Sequence, residues 1–234
     1  NNVIIDFPKT AREAANASIN TLIKMEESGF LEFKSSMING GEGKPNSVMQ
    51  NETTETLAGF LNSDGGTLVI GYNDDNDIIM GIEQDFKKLG KRNNVDGWQL
   101  QFNNIFKEHI GLGYSEYLAP IEFDIIDGKT LAKISVSRSS DPVFWEPDNN
   151  TEAFPVRFNN STRKLGVKDV SEYIDRHFTK SDVPILSENE KDWRDDPPTE
   201  AQLNYLQSLG HKGEVPKTKG EASDLITKIQ NEKD

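Results

Sequence analysis

The sequence predicts an α+β protein: a mixed, hairpin-rich sheet packed with helices, followed by a linker and a helical hairpin. Three observations carry that expectation. Helix-period and strand-period segments alternate over residues 1–178 with hairpin signals among them, Asp127-Gly128 sits between two strand-like runs, and an acidic, proline-containing stretch precedes a short helical tail. The expected organisation is a domain over 1–178, a linker over 179–198 and a C-terminal appendage over 199–234.

Residues 10–28 read as one helix, with Ala and Ile at helical spacing and Gly29 as its stop. Phe30 to Ser35 alternates as a strand, Ile38 to Ser47 is a Gly- and Asn-rich loop, and Asn51 to Leu61 is helical. Ser63-Asp-Gly-Gly66 turns the chain into a buried strand, Thr67 to Gly71, with Gly65 and Gly66 supplying the tight turn. Asn73 to Asp77 folds a hairpin back into Ile78–Ile82, and residues 95–110 form another helix. Glu122–Ile126 and Thr130–Val136 flank Asp127-Gly128, the strongest short hairpin signal in the chain. Phe154, Val156 and Phe158 alternate with Arg157 on a strand turned by Asn159-Asn160, and Val167 to Phe178 closes the domain as a helix.

Ser181 to Pro198 holds three prolines, six acids and two bases, the composition of an extended, solvated linker. Thr199 caps a helix that runs to Ser208 and ends at Gly210; a second helix spans Lys219 to Asn231 with Ala222, Leu225, Ile226 and Ile229 as its apolar stripe. Two such helices bury no core alone, so the tail is expected to dock on something.

The 234 residues suit one or two domains. A hydrophobic share of 34% and 12 phenylalanines exclude a disordered chain, and no apolar run approaches a membrane span of about 18 residues. Asn1 to Lys9 reads as neither a signal nor a transit peptide, and the absence of cysteine excludes disulfides, thiolate metal sites and cysteine nucleophiles. The expected location is the cytoplasm. The formal net charge of −13 argues against a protein that coats nucleic acid, although a basic groove can sit on an acidic body.

Several motifs fail on their own mechanics. Gly40-Gly-Glu-Gly-Lys44 lacks the first P-loop glycine, since Ile38 holds that place, and Pro45 replaces the magnesium-binding hydroxyl. His109, His177 and His211 have no metal-ligand spacing and read as surface or packing residues. No nucleophile elbow of the Gly-x-Ser-x-Gly type is present.

The carboxylates remain. Glu27 and Glu32 lie five residues apart across a helix end and a strand start, Lys34 follows, and Asp74 comes after the strand that ends at Gly71. If those two strands are neighbours, three carboxylates and a lysine meet at their ends, a set suited to Mg²⁺ or Mn²⁺. Read alone, the same residues are more simply an exposed helix end, an edge-strand charge and an ordinary turn acid, since acids at turns are common. Arg157, Arg163 and Lys164 are candidates for phosphate contact beside a strand and its turn, with a solvated turn as the bland alternative for the last two.

The blocks Glu27-Ser-x-x-Leu-Glu-Phe-Lys34, Gly59-Phe-Leu-Asn-Ser-Asp-Gly-Gly-Thr-Leu-Val-Ile-Gly-Tyr-Asn-Asp74, Ile79-Met-Gly-Ile82 and Val156-Arg-Phe-Asn-Asn-Ser-Thr-Arg163 follow in an order that resembles the AlbA-like domain of the Schlafen family. The likeness covers roughly residues 20–178. It implies an α+β fold, association with nucleic acid and, in active members, metal-dependent endonuclease cleavage of structured RNA such as tRNA. By motif, Glu27, Glu32 and Asp74 are then the acids that hold Mg²⁺ or Mn²⁺, and Lys34 is the motif's lysine. Vertebrate relatives carry two lobes that close as a clamp; a homodimer of this one copy would rebuild the shape by two-fold symmetry. The Schlafen likeness implies a role in defence; the tail from Thr199 is similar to a helical appendage at the ends of bacterial nucleic-acid enzymes, which implies a bacterial or phage setting and either docking to a protein partner or support of a dimer. The other reading is a non-catalytic nucleic-acid-binding regulator or adaptor.

Overall fold

The computed structural model describes residues 7–39, 46–148, 151–178, 197–211 and 213–231. The chain divides into two compact units, Asn1–Thr179 and Lys180–Asp234. Of the expected linker, residues 179–196 lie outside the described residues, as does Gly40 to Lys44.

The single helix expected over 10–28 is corrected to two short ones, α1 (Ala11–Asn16) and α2 (Ile19–Leu22). Thr10 caps the first by accepting from the Glu13 N–H, Ala17 turns extended at φ −80° and ψ 151°, and Ser18 caps the second by accepting from the Thr21 N–H. A second capping hydroxyl inside the segment thus breaks what apolar spacing joined. Lys133 completes the break, because its buried ammonium donates to Ala15 O and Ala17 O, each at 2.9 Å, and places a cation at the C-terminal carbonyls of α1. Gly29 therefore stops no helix. It lies in a tight turn closed by the Ser28 N–H on Leu31 O at 2.9 Å.

Next come β1 (Leu31–Lys34) and α3 (Asn46–Leu61), the latter starting earlier than the expected Asn51. Then follow β2 (Gly66–Ile70), β3 (Tyr72–Asn73) and β4 (Ile78–Ile79). The return strand stops at Ile79, short of the expected Ile82, as Gly81 at φ 73° leads the chain toward α4 (Glu83–Phe86). Helix α5 (Val95–His109) forms where its spacing predicts, with the Asn94 side chain accepting from the Gly97 N–H. Strands β5 (Glu122–Ile126) and β6 (Lys129–Val136) join through Asp127 and Gly128 at φ 51° and 73°, the positive values a two-residue hairpin turn of this kind requires.

The ribbon of β7 (Trp145–Asp148) and β8 (Thr151–Ala153) carries no apolar alternation, and the sequence gives no sign of it. Strands β9 (Pro155–Phe158) and β10 (Ser161–Lys164) pair through Asn159 at φ 53°, and α6 (Val167–His177) ends the unit.

The main sheet has the order β1-β2-β6-β5, with β1 parallel to β2 and the other pairs antiparallel. On one face Leu68, Ile70, Ala132 and Ile134 pack with Leu57 and Phe60 of α3 and Trp98 and Phe102 of α5. On the other, Leu31, Phe33, Val69 and Leu131 pack with Ala14, Ile19 and Leu22. Strand alternation therefore puts Glu32 and Lys34 together on the α3 side of β1, opposite Leu31 and Phe33. This is the α+β architecture that the sequence predicts.

In the second unit, α7 (Glu200–Ser208) starts with a reciprocal cap between Thr199 and Gln202. The Gln202 amide also donates to Lys219 O at 3.2 Å and Ser223 Oγ at 3.1 Å, tying α7 to α8 (Lys219–Asn231). Among the described residues no helix is long and apolar enough to cross a membrane.

Candidate functional site at the free edge of β1

Among the described residues strand β1 has a strand neighbour on one side only, so its outer N–H and C=O groups need other partners. Leu31 O accepts from the Ser28 N–H at 2.9 Å and from Arg157 Nη2 at 3.3 Å. The Phe33 N–H donates to Glu27 Oε1 at 3.0 Å. The spacing of the two glutamates has a backbone reason: Glu27 folds back over the Ser28–Gly29 turn and closes the strand edge one residue beyond Glu32.

Glu32 is buried and held from two sides. Lys34 Nζ bonds Glu32 Oε1, and Arg157 Nη2 stands 2.7 Å from Glu32 Oε2. That second contact is an ion pair without hydrogen-bond alignment, and Oε2 receives no donor. The Arg157 N–H groups instead reach Ser28 O at 2.7 Å and Thr162 Oγ1 at 3.2 Å, and the guanidinium lies 5.1 Å from the centre of the Phe60 ring. Its side chain is 2% exposed. Arg157 thus points inward and positions Glu32.

Asp74 begins the exposed turn between β3 and β4. The turn is fixed from below by Tyr72, whose buried hydroxyl donates to Asp77 Oδ1 at 2.5 Å, with Asp77 itself at φ 54°. Burial, then the hydrogen bond and charge of Asp77 and the charge of Asp74, push the Tyr72 hydroxyl up to about 12. Beside the turn, Lys34, Glu52, Asn73, Asp74 and Asp75 line a polar concavity of about 220 Å³. The Asn73 Oδ1 atom is buried there without a hydrogen-bond partner.

Glu27 reports how closely these charges gather. Burial raises its pKa above the ordinary value; the Phe33 N–H opposes that, the carboxylates of Glu32 and Asp74 raise it further, and Lys34 lowers it. The fold therefore brings Glu27, Glu32, Lys34 and Asp74 into one electrostatic neighbourhood at the end of the parallel β1–β2 pair. Their oxygens are unequally free. Glu27 retains Oε2 and Asp74 lies open, whereas Glu32 is already neutralised by two cations. Among the described residues no three Asp, Glu or His side chains form a cage able to hold an ion by themselves. Two free carboxylates fit Mg²⁺, which keeps several waters and completes its shell with substrate phosphates.

Residues 27–166, more than half of the chain, match the family described as "Schlafen, AlbA_2". The chain belongs to that family. A second match, "Mitochondrial helicase Irc3, C-terminal domain", covers residues 148–234 and so takes in the helical tail. No curated protein matches the chain. Among solved structures, the crystal structure of the DIP2311 protein from Corynebacterium diphtheriae is similar at a TM-score of 0.46 and 16% identity, over 85% of this chain and 38% of that one. The chain thus spans well under half the length of that protein.

In this Schlafen AlbA_2 domain the two outer cations lie apart from the acids' own pairs. Arg163 is exposed, with its guanidinium 4.9 Å from the centre of the Phe158 ring. Lys164 pairs with Glu55 at 3.1 Å and lies 4.9 Å from the Trp145 ring centre. His109 is a packing residue bonded to Thr54 at 2.8 Å, and His177 stacks on Tyr173 at 4.0 Å.

Sequence reasoning passed over two supporting residues. Tyr72 falls between the expected strand, which ends at Gly71, and the expected hairpin from Asn73, where no local signal marks it. Asp85, fully buried, accepts from Ser36 Oγ, from the Met37 and Asn39 N–H groups at 3.1 Å and from Trp98 Nε1 at 2.8 Å, and so anchors the backbone that leaves β1 after Lys34. No local motif marks an acid whose partners come from segments so distant.

Proposed function

We propose that this chain is a metal-dependent endoribonuclease of the Schlafen type that cleaves structured RNA such as tRNA. Family membership and the helicase-domain likeness of the tail support a function on nucleic acid. The observation that supports the enzymatic reading is geometric: Glu27 bonds the Phe33 N–H of the strand that carries Glu32, Lys34 bonds Glu32, and Lys34 and Asp74 line one polar concavity. A Mg²⁺ or Mn²⁺ ion supplies, when bound, charge stabilisation at the phosphoryl oxygen and a more acidic water.

The residues divide the work. Glu27 Oε2 and the Asp74 carboxylate offer the open oxygens, and the repulsion that adds to burial in raising Glu27 would be relieved by a bound cation. Glu32, the third acid, holds the Lys34 ammonium by its Oε1. From there Lys34 neutralises the scissile phosphate or orients the attacking water. By family analogy the cut serves defence against phage.

A second reading has one observation in its favour. Glu32 is paired by Lys34 and Arg157, and the described acids make no cage of three, as a binding module that never loads metal would also have it. Incubating purified protein with total tRNA in Mn²⁺, Mg²⁺ or EDTA, beside a Glu27→Ala/Glu32→Ala variant, separates the two. The enzyme gives discrete fragments that need metal and vanish in the variant. Intact tRNA in every lane together with a salt-sensitive gel shift identifies the regulator or adaptor.

A further inference from the structure

We infer that Phe158, at the tip of the β9–β10 hairpin, and Arg163, two residues along the return strand from Ser161, form a stacking platform for an unpaired base of a single-stranded RNA segment that passes the acids. The inference rests on the nucleic-acid reading above and adds to it the kind of segment bound. Phe158 is 56% exposed although it is a large aromatic on a paired strand, and it belongs to neither hydrophobic cluster of the described residues. Arg163 covers it at 4.9 Å, the arrangement in which a guanidinium and a ring present one flat, cationic surface. Such surfaces take bases of any identity, since every base has a π face.

The position of the tip joins the platform to the site. The adjoining residue, Arg157, donates to Ser28 O and stands against Glu32. A Cβ built on Gly29 would lie 3.6 Å from Asn159 O, so the hairpin tip touches the turn that links Glu27 to Glu32. Beside it opens a groove of about 570 Å³ whose lining includes the bases Lys9 and Arg12, the polar Ser63 and Asn159, and one acid, Asp64. A strand stacked on Phe158 can lay its phosphates along that groove while the neighbouring nucleotides approach the acids. The two-residue turn through Asn159, at φ 53°, keeps the tip short, so the platform is set before the strand arrives.

The test is fluorescence anisotropy in EDTA at one fixed ionic strength, with a short fluorescein-labelled poly-uridine strand and a labelled RNA duplex of the same length. Phe158→Ala weakens binding of the strand roughly five- to hundredfold, the usual effect of removing one stacking aromatic, and leaves the duplex unchanged. Phe158→Trp binds the strand as wild type does, and its added indole emission is quenched on binding. Equal strand affinity in wild type and Phe158→Ala overturns the platform while leaving nucleic-acid binding intact, and so does an equal loss on strand and duplex. Wild-type protein that binds neither RNA overturns both the platform and the reading beneath it.

Discussion

Arg157 Nη2 stands 2.7 Å from Glu32 Oε2, with the arginine side chain buried beneath the acid. The acid nearest the centre of the site is thereby oriented by a hairpin remote in sequence, and the edge strand carrying it is closed by the same guanidinium through Ser28 O and Leu31 O. Site geometry and domain stability share one side chain.

Arg157→Ala accordingly leaves Glu32 with Lys34 alone and strips donors from two carbonyls. The expected cost is about 3–5 kcal/mol, read by urea denaturation. Arg157→Lys recovers little of it, since a single ammonium does not reach acceptors arranged for a planar fork.

Glu27→Gln is expected to stabilise the domain while abolishing cleavage. The folded pKa of Glu27 lies above its ordinary value of 4.5, so the folded state favours the protonated acid. That contribution is complete below 4.5 and is lost as pH rises through the folded value. At neutral pH the charged carboxylate therefore costs stability, which Gln removes while its amide oxygen still accepts from Phe33. Thermal melts of the two proteins should separate at pH 7 and converge in acid.

Tyr72→Phe removes the hydroxyl that pins Asp77 and costs about 1 kcal/mol. The Tyr72 hydroxyl is pushed up to about 12, so its stabilising proton is held below the ordinary value of 10 and lost as pH rises through about 12. Wild type thus loses stability on that alkaline limb and Tyr72→Phe does not. With the turn loosened, Mn²⁺ activation of tRNA cleavage should need more metal in the variant, measurable as a rightward shift of the activation curve.

Asp85→Asn puts an NH₂ group where hydroxyl, backbone and indole donors converge. A loss of about 3 kcal/mol or more is expected by denaturant titration. The loss should fall mainly on the segment after β1, visible as faster amide exchange at Met37 and Asn39.

What the sequence disclosed and what it withheld follow one physical division. Asp127-Gly128 and Asn159 were legible because a turn's backbone demand is local. The spacing of the acids pointed to a shared neighbourhood only on the condition that β1 and β2 were neighbours, and those two strands do pair in parallel from Leu31↔Thr67 to Lys34↔Ile70. The break between α1 and α2 was hidden because Lys133, which fastens Ala15 O and Ala17 O, comes from β6, 116 to 118 residues further along the chain. The inward turn of Arg157 was hidden for the same reason: its acceptors are Ser28 and Leu31, and a basic residue beside a turn looks identical whether it faces solvent or a buried acid. The ribbon of β7 and β8 lacked any alternation to read.

Asp74 gives the most direct test of the central claim, because it is exposed and its removal disturbs no buried pair. The measurement is the rate of Mn²⁺-dependent tRNA cleavage by Asp74→Ala, with tRNA binding followed in parallel in EDTA. The account predicts a fall of roughly 10²–10³-fold in rate, the usual effect of deleting one group that acts electrostatically on the transition state, with no loss of binding or of melting temperature. Cleavage at the wild-type rate would contradict it.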